Sequence, residues 1–123
     1  MFLRAAVLIS LASPAAAFVA GNDLTVRPTG PGQFTVPYQG KPGPTDFWCA
    51  AGDYVIRSLG QPPRTRIYRT SAPPRRSGQG MDFSLSASPE QAKTGLIVLG
   101  EDDRSLSALL AQSFCSVMDD PSP

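Results

Sequence analysis

The chain contains no histidine. That absence removes the side chain that most often moves protons near neutral pH, and with it Ser-His-Asp hydrolysis, histidine-based acid–base catalysis and the common zinc sites. Cysteine is scarce as well. Cys49 and Cys115 are the only two, and two thiolates cannot close a four-coordinate structural zinc site. Lysine occurs only at Lys41 and Lys93, neither of them three residues after a serine, so the S-x-x-K arrangement of serine–lysine enzymes is missing. Long apolar runs are missing too. Ala5 to Ala12 is less than half of the roughly 20 residues that span a bilayer.

What stands at the amino terminus has the layout of a secretory leader. Arg4 gives a short positive n-region, Ala5 to Ala12 an apolar core, and Ser13-Pro14 a break. Ala15 and Ala17 then occupy the two small-residue positions of an A-x-A cleavage site. Residues 1–17 are therefore expected to be a signal peptide cut before Phe18, and residues 18–123 a single mature domain with a frayed tail over 118–123. The protein is expected to be exported, to the periplasm or the extracellular space, with no stable membrane insertion after cleavage. Those 106 residues (123 less 17) suffice for one modest core.

Removing Arg4 leaves ten basic and ten acidic residues, so overall charge gives no reason to expect nucleic acid as a partner. The distribution is uneven. Arg57, Arg64, Arg66, Arg69, Arg75 and Arg76 fall in a stretch without an acid, whereas from Asp82 onward seven acids face only Lys93 and Arg104. In an oxidising compartment the even cysteine pair, without C-x-x-C spacing, reads as one disulfide between Cys49 and Cys115.

Proline and glycine, 13 and 11 in number, cluster between short patterned segments and mark a loop-rich globular domain. Leu24 to Arg27 and Gln33 to Val36 alternate about a Pro-Thr-Gly-Pro-Gly turn and predict a hairpin. Thr45 as N-cap and Gly60 with Pro62-Pro63 as terminator predict a helix from Asp46 to Leu59, its buried stripe running through Trp48, Ala51, Val55 and Leu59. Gly52 inside it favours close packing. Thr65 to Thr70 and Met81 to Ser86 read as strands, Leu96 to Leu99 as a buried central strand. A helix from Ser105 to Val117 carries Leu106, Leu109, Leu110, Ser113, Phe114 and Val117 on one stripe. The fold expected is α+β: a small single domain with a three- to five-stranded antiparallel or mixed sheet, two helices packed on one face, and one disulfide.

Asp46-Phe47-Trp48-Cys49 places a thiol in the first turn of a helix, where the dipole would lower its pKa. With Tyr54 to Gly60 and Pro63-Arg64-Thr65, this stretch of about 20 residues resembles the nucleophile helix of the NlpC/P60 cell-wall peptidases. The resemblance implies a thiol-dependent wall hydrolase with Cys49 as nucleophile. The chain departs from the family's Asp-Cys-Ser-Gly context, reading Trp48-Cys49-Ala50-Ala51, and has no histidine base. Glu101, Asp102 and Asp103 suit a helix-capping turn better than a cation site.

Binding has the stronger residue set. Arg66 and Tyr68 share one face of their strand with Arg69 on the other, and Arg75 and Arg76 lie at the tip of the Ser71 to Gly80 loop. Arginine suits bidentate recognition of carboxylate or phosphate. The sequence therefore points to a non-enzymatic binding module without cofactor or metal, using Arg66, Arg69, Arg75 and Arg76. Its partner would be an acidic glycan, a wall polymer or an acidic protein surface. A purely structural envelope component is the remaining class.

Overall fold

A computed structural model of the chain describes residues 17–40, 43–72, 76, 78–87, 92–96 and 104–118. Residues 1–16 of the leader expected over 1–17, Arg75, residues 97–99 of the expected central strand, residues 101–103 of the expected acidic turn and the residues beyond Met118 lie outside the described residues. Six strands form one sheet: β1 (Phe18–Val19), β2 (Thr25–Gly30), β3 (Gln33–Val36), β4 (Arg66–Arg69), β5 (Met81–Ser84) and β6 (Ser105–Ser107). Their order is β1-β2-β3-β5-β4-β6, every described pairing antiparallel. Among the described residues there are two α-helices, α1 (Pro44–Asp53) and α2 (Ala108–Met118).

The expected α+β class and the β2–β3 hairpin match, but the sheet is larger than the three to five strands expected. Its two extra members are the edge strands β1 and β6, of two and three residues, too short to set up a readable period. β6 also corrects the start of the last helix. Ser105-Leu106-Ser107 fits the alternation of a strand as well as the first turn of a helix, and pairing with Arg66, Ile67 and Tyr68 decides for the strand. Because α2 therefore begins at Ala108, its buried positions among the described side chains are Ala108 and Ala111, and Leu109, expected on the stripe, is 57% exposed.

The first helix starts earlier than expected. Gly43 in extended conformation is the N-cap and Pro44 takes the first helical position, where its fixed φ fits and its missing N–H costs nothing. Thr45 is thus already inside the helix. Asp46 reaches back, its Oδ2 accepting the Gly43 N–H at 3.1 Å. Beyond Asp53 the backbone widens into a π-helical segment, Tyr54–Ser58. Leu59 N–H donates to Tyr54 O at 3.0 Å, and Gly60, with φ of +65°, ends the run in the left-handed region that glycine tolerates.

Every residue from Asp46 to Asp53 is buried, so α1 is covered on all sides, as a helix with so few polar positions must be. On the sheet side, Trp48 meets Phe83 edge-on at 4.8 Å between ring centroids, Phe34 stacks on Phe83 at 5.5 Å and touches Tyr54 at 4.8 Å. Each such ring contributes about 1.5–3 kcal/mol by burial. On another side lies α2. A Cβ on Gly52 would stand 2.3 Å from Gln112 N and 2.7 Å from Ala108 O, so glycine is what lets the two backbones touch. The Cys49–Cys115 disulfide, with Cα atoms 4.9 Å apart, joins the same helices.

Two polar residues tie the amino-terminal strand to this core. Asn22 donates from Nδ2 to Asp46 O at 2.8 Å. Asp53 accepts from Gly21 N at 2.9 Å, from Arg57 Nη1 at 2.7 Å and from Gln112 Nε2 at 3.2 Å, which satisfies both carboxylate oxygens of a residue 4% exposed. Phe18 packs on Tyr54 at 5.7 Å under the Arg57 guanidinium, 5.5 Å above its ring.

Burial pushes the Tyr54 phenol above its ordinary value of 10.0. The neutral form is the one the fold favours, so this contribution is fully present below about pH 10 and is lost as pH rises towards the folded value, since the unfolded chain ionises first. Denaturation across the alkaline range should show wild type losing stability that Tyr54→Phe keeps; parallel curves would show that the phenol is not desolvated.

Candidate functional site

Cross-strand neighbours share a face of the sheet, and the register sorts them. Phe34 stands opposite Phe83 and Val36 opposite Met81, Ile67 opposite Leu106, and all six point to the helices and are buried. The outer face then carries Arg27 beside Thr35, Thr35 beside Asp82, Gln33 beside Ser84, Ser84 beside Tyr68, and Tyr68 beside Ser105. It is a polar face built by strict alternation.

The register separates the predicted arginines. Arg66 lies on the outer face, half-buried, its guanidinium donating to Ser105 Oγ at 2.9 Å and to Ser105 O at 3.0 Å. Arg69 stands opposite Phe83 and is 2% exposed. Its Nη1 donates to Thr94 O at 3.3 Å, the carbonyl that also accepts Trp48 Nε1 at 3.0 Å. The odd positions of β4 face inward, so Arg69 supports the tryptophan side of the core and has no solvent-facing guanidinium to offer a ligand. Arg76 is exposed. Its N–H donates to Gln79 Oε1 and its carbonyl accepts Gln79 N–H, both at 3.0 Å, closing a turn through Gly78 at φ +79°.

Cys49 is fully buried and bonded to Cys115, and neither cysteine is free. The thiol-hydrolase reading is corrected by this geometry: a bonded sulfur supplies no thiolate and an interior one meets no substrate.

Two features of the surface were not singled out from the sequence. Among the described residues, Asp46 and Asp53 are consumed inside the fold and leave only Asp23 and Asp82 as exposed acids, against exposed Arg27, Arg57, Arg64, Arg76, Lys93 and Arg104. Glu90, Glu101, Asp102, Asp103, Asp119 and Asp120, six of the ten acids of the sequence, lie outside the described residues, as do Arg4, Lys41 and Arg75. Secondly, the outer face holds an open cleft of about 380 Å³ lined by Thr29, Gln33, Phe34, Thr70, Asp82, Phe83, Ser84 and Ser86. Thr70 follows β4 and begins the connection that carries Arg75 and Arg76. The polar phase of the alternation in β3 and β5 was the available signal for this cleft, but a polar phase marks any solvated face.

Among the described residues, no helix is long and apolar enough to cross a membrane. The chain matches no protein-family model, no curated protein and no solved structure.

Proposed function

We propose that this protein is a small exported binding module, held by its disulfide, that captures an acidic partner on its basic surface without transforming it. An acidic glycan, a wall polymer or an acidic protein face would meet the same chemistry. The observation that supports the reading is the stretch from Arg57 to Arg76, which holds six arginines and no acid and which exposes Arg64 and Arg76 among the described residues. Fixed positive charge of this kind raises encounter rates and selects for acidic partners. Arg75 and Arg76 are the proposed contact pair, with Arg66 held in place on the outer face by Ser105. Arg69 contributes from the interior by holding the strand. The buried disulfide suits an oxidising compartment.

Retention on immobilised polygalacturonate tests this. Arg75→Ala with Arg76→Ala should weaken retention about five- to tenfold and leave the melting temperature unchanged, because exposed charges contribute little to stability. Added salt should weaken wild-type retention in the same direction. Equal retention by the double variant and at high salt would place the contact elsewhere.

A further inference from the structure

We infer that the cleft on the outer face of the sheet is a subsite for one uncharged, hydroxyl-rich sugar residue. The inference shares the binding-module reading but does not depend on the arginines. Its floor is β3 paired to β5 over four consecutive residue pairs, so the lining side chains stand on regular, fixed backbone, and preorganised groups of this kind lose little entropy on binding.

The lining chemistry selects the ligand. Phe34 and Phe83 are each 1% exposed, with rings in the core, so they present almost no apolar surface to the cleft. What remains is one amide, one carboxylate and the hydroxyls of Thr29, Thr70, Ser84 and Ser86. Ser84 is spent locally, its Oγ accepting Ser86 N–H at 3.1 Å. Asp82 uses Oδ1 to accept the Thr35 hydroxyl at 2.5 Å, which leaves Oδ2 as an acceptor. Among the described residues, the Gln33 amide and the hydroxyls of Thr29, Thr70 and Ser86 make no intramolecular hydrogen bond. Donors and acceptors without protein partners thus converge on one concavity.

Asp82 is the single formal charge of the lining, so a carboxylate or phosphate would be repelled there, and a wholly hydrocarbon group would leave the polar half of the lining unpaired. A sugar ring meets both conditions. Its adjacent hydroxyls can donate to Asp82 Oδ2 and accept from the Gln33 amide, and Tyr68, beside Ser84 on the same face, supplies an aromatic neighbour. A cleft with a few convergent polar groups on a rigid sheet is a usual form for a small-ligand site.

The test is titration of ¹⁵N-labelled mature protein with maltotriose, cellotriose and chitotriose in turn, all uncharged. At least one should give saturable shifts at the Gln33 side-chain amide and the backbone amides of Thr29, Asp82, Ser84 and Ser86, with a Kd of about 1 mM or tighter. The shifts should persist in high salt and in the Arg75→Ala, Arg76→Ala variant, which separates this site from the arginine surface. Gln33→Ala removes no intramolecular hydrogen bond, so it should fold normally and bind about tenfold more weakly; Asp82→Asn should weaken binding as well. No saturable shift with any of the three sugars, shifts confined to residues outside the cleft, or wild-type binding by Gln33→Ala would overturn the inference. Ethylammonium producing the same shifts as the sugar would also overturn it, by making Asp82 a cation site. If the sugars fail while polygalacturonate is still retained, the acidic-partner reading survives and the sugar subsite does not.

Discussion

Joint replacement of Cys49 and Cys115 by alanine is expected to lower the unfolding free energy by about 4 kcal/mol. The bond closes a loop with a sequence separation of 66, and freeing such a loop in the denatured chain costs the native state roughly that much on chain-entropy grounds. Small domains have about 5–15 kcal/mol in total, so the variant should melt far below wild type. The effect should come mostly from the unfolded chain. The contact of Gly52 with α2 and the ring contacts of Trp48 and Phe34 do not depend on the bond, so the circular dichroism of the folded variant should match wild type. Urea denaturation under oxidising conditions is the measurement. A midpoint equal to that of wild type would show that the bond does not constrain the denatured state. Wild type treated with reductant should converge on the variant.

Gly52→Ala is expected to cost about 3 kcal/mol, although the same exchange in an exposed helix interior would gain about 1 kcal/mol of propensity. The sign is reversed by packing. The new Cβ would lie 2.3 Å from Gln112 N, 2.7 Å from Ala108 O and 2.8 Å from Ala111 C, all backbone atoms, so no side-chain rotation can relieve the clash. The helices would have to separate, straining the disulfide that joins them and the bond from Gln112 Nε2 to Asp53. A melting temperature unchanged or raised in Gly52→Ala would mean that α1 and α2 cross at a greater distance than described.

Much of the fold was legible because its signals are local. The β2–β3 hairpin followed from two alternating runs around Pro31-Gly32, and β5 from the alternation of Met81, Asp82 and Phe83. The first helix was legible in its extent but not in its ends. Gly43-Pro44 competes with Thr45 as a start, and period alone does not distinguish an α-helical last turn from the wider π-helical one at Tyr54–Ser58. The candidate site was less legible. Arginine content marked a basic stretch, and alternation put Arg69 opposite Arg66, yet which face of β4 is covered depends on where the helices lie.

The sequence by itself determined the α+β class, the pairing of Cys49 with Cys115 once an oxidising compartment is assumed, the strands β2 to β5, and the exclusion of histidine chemistry. These follow from composition and from periods of two and about 3.6, which neighbouring residues carry between them. Only the tertiary structure decided that Ser105–Ser107 is a strand, since its ladder partners are Arg66, Ile67 and Tyr68, far back in the chain. It alone buried Arg69, drew Asp53 into bonds with Gly21 and Gln112, and gathered Thr29, Gln33, Thr70 and Asp82 around one cleft. Each of these is a contact between segments distant in the chain, set by sheet register and helix packing, which no local period records.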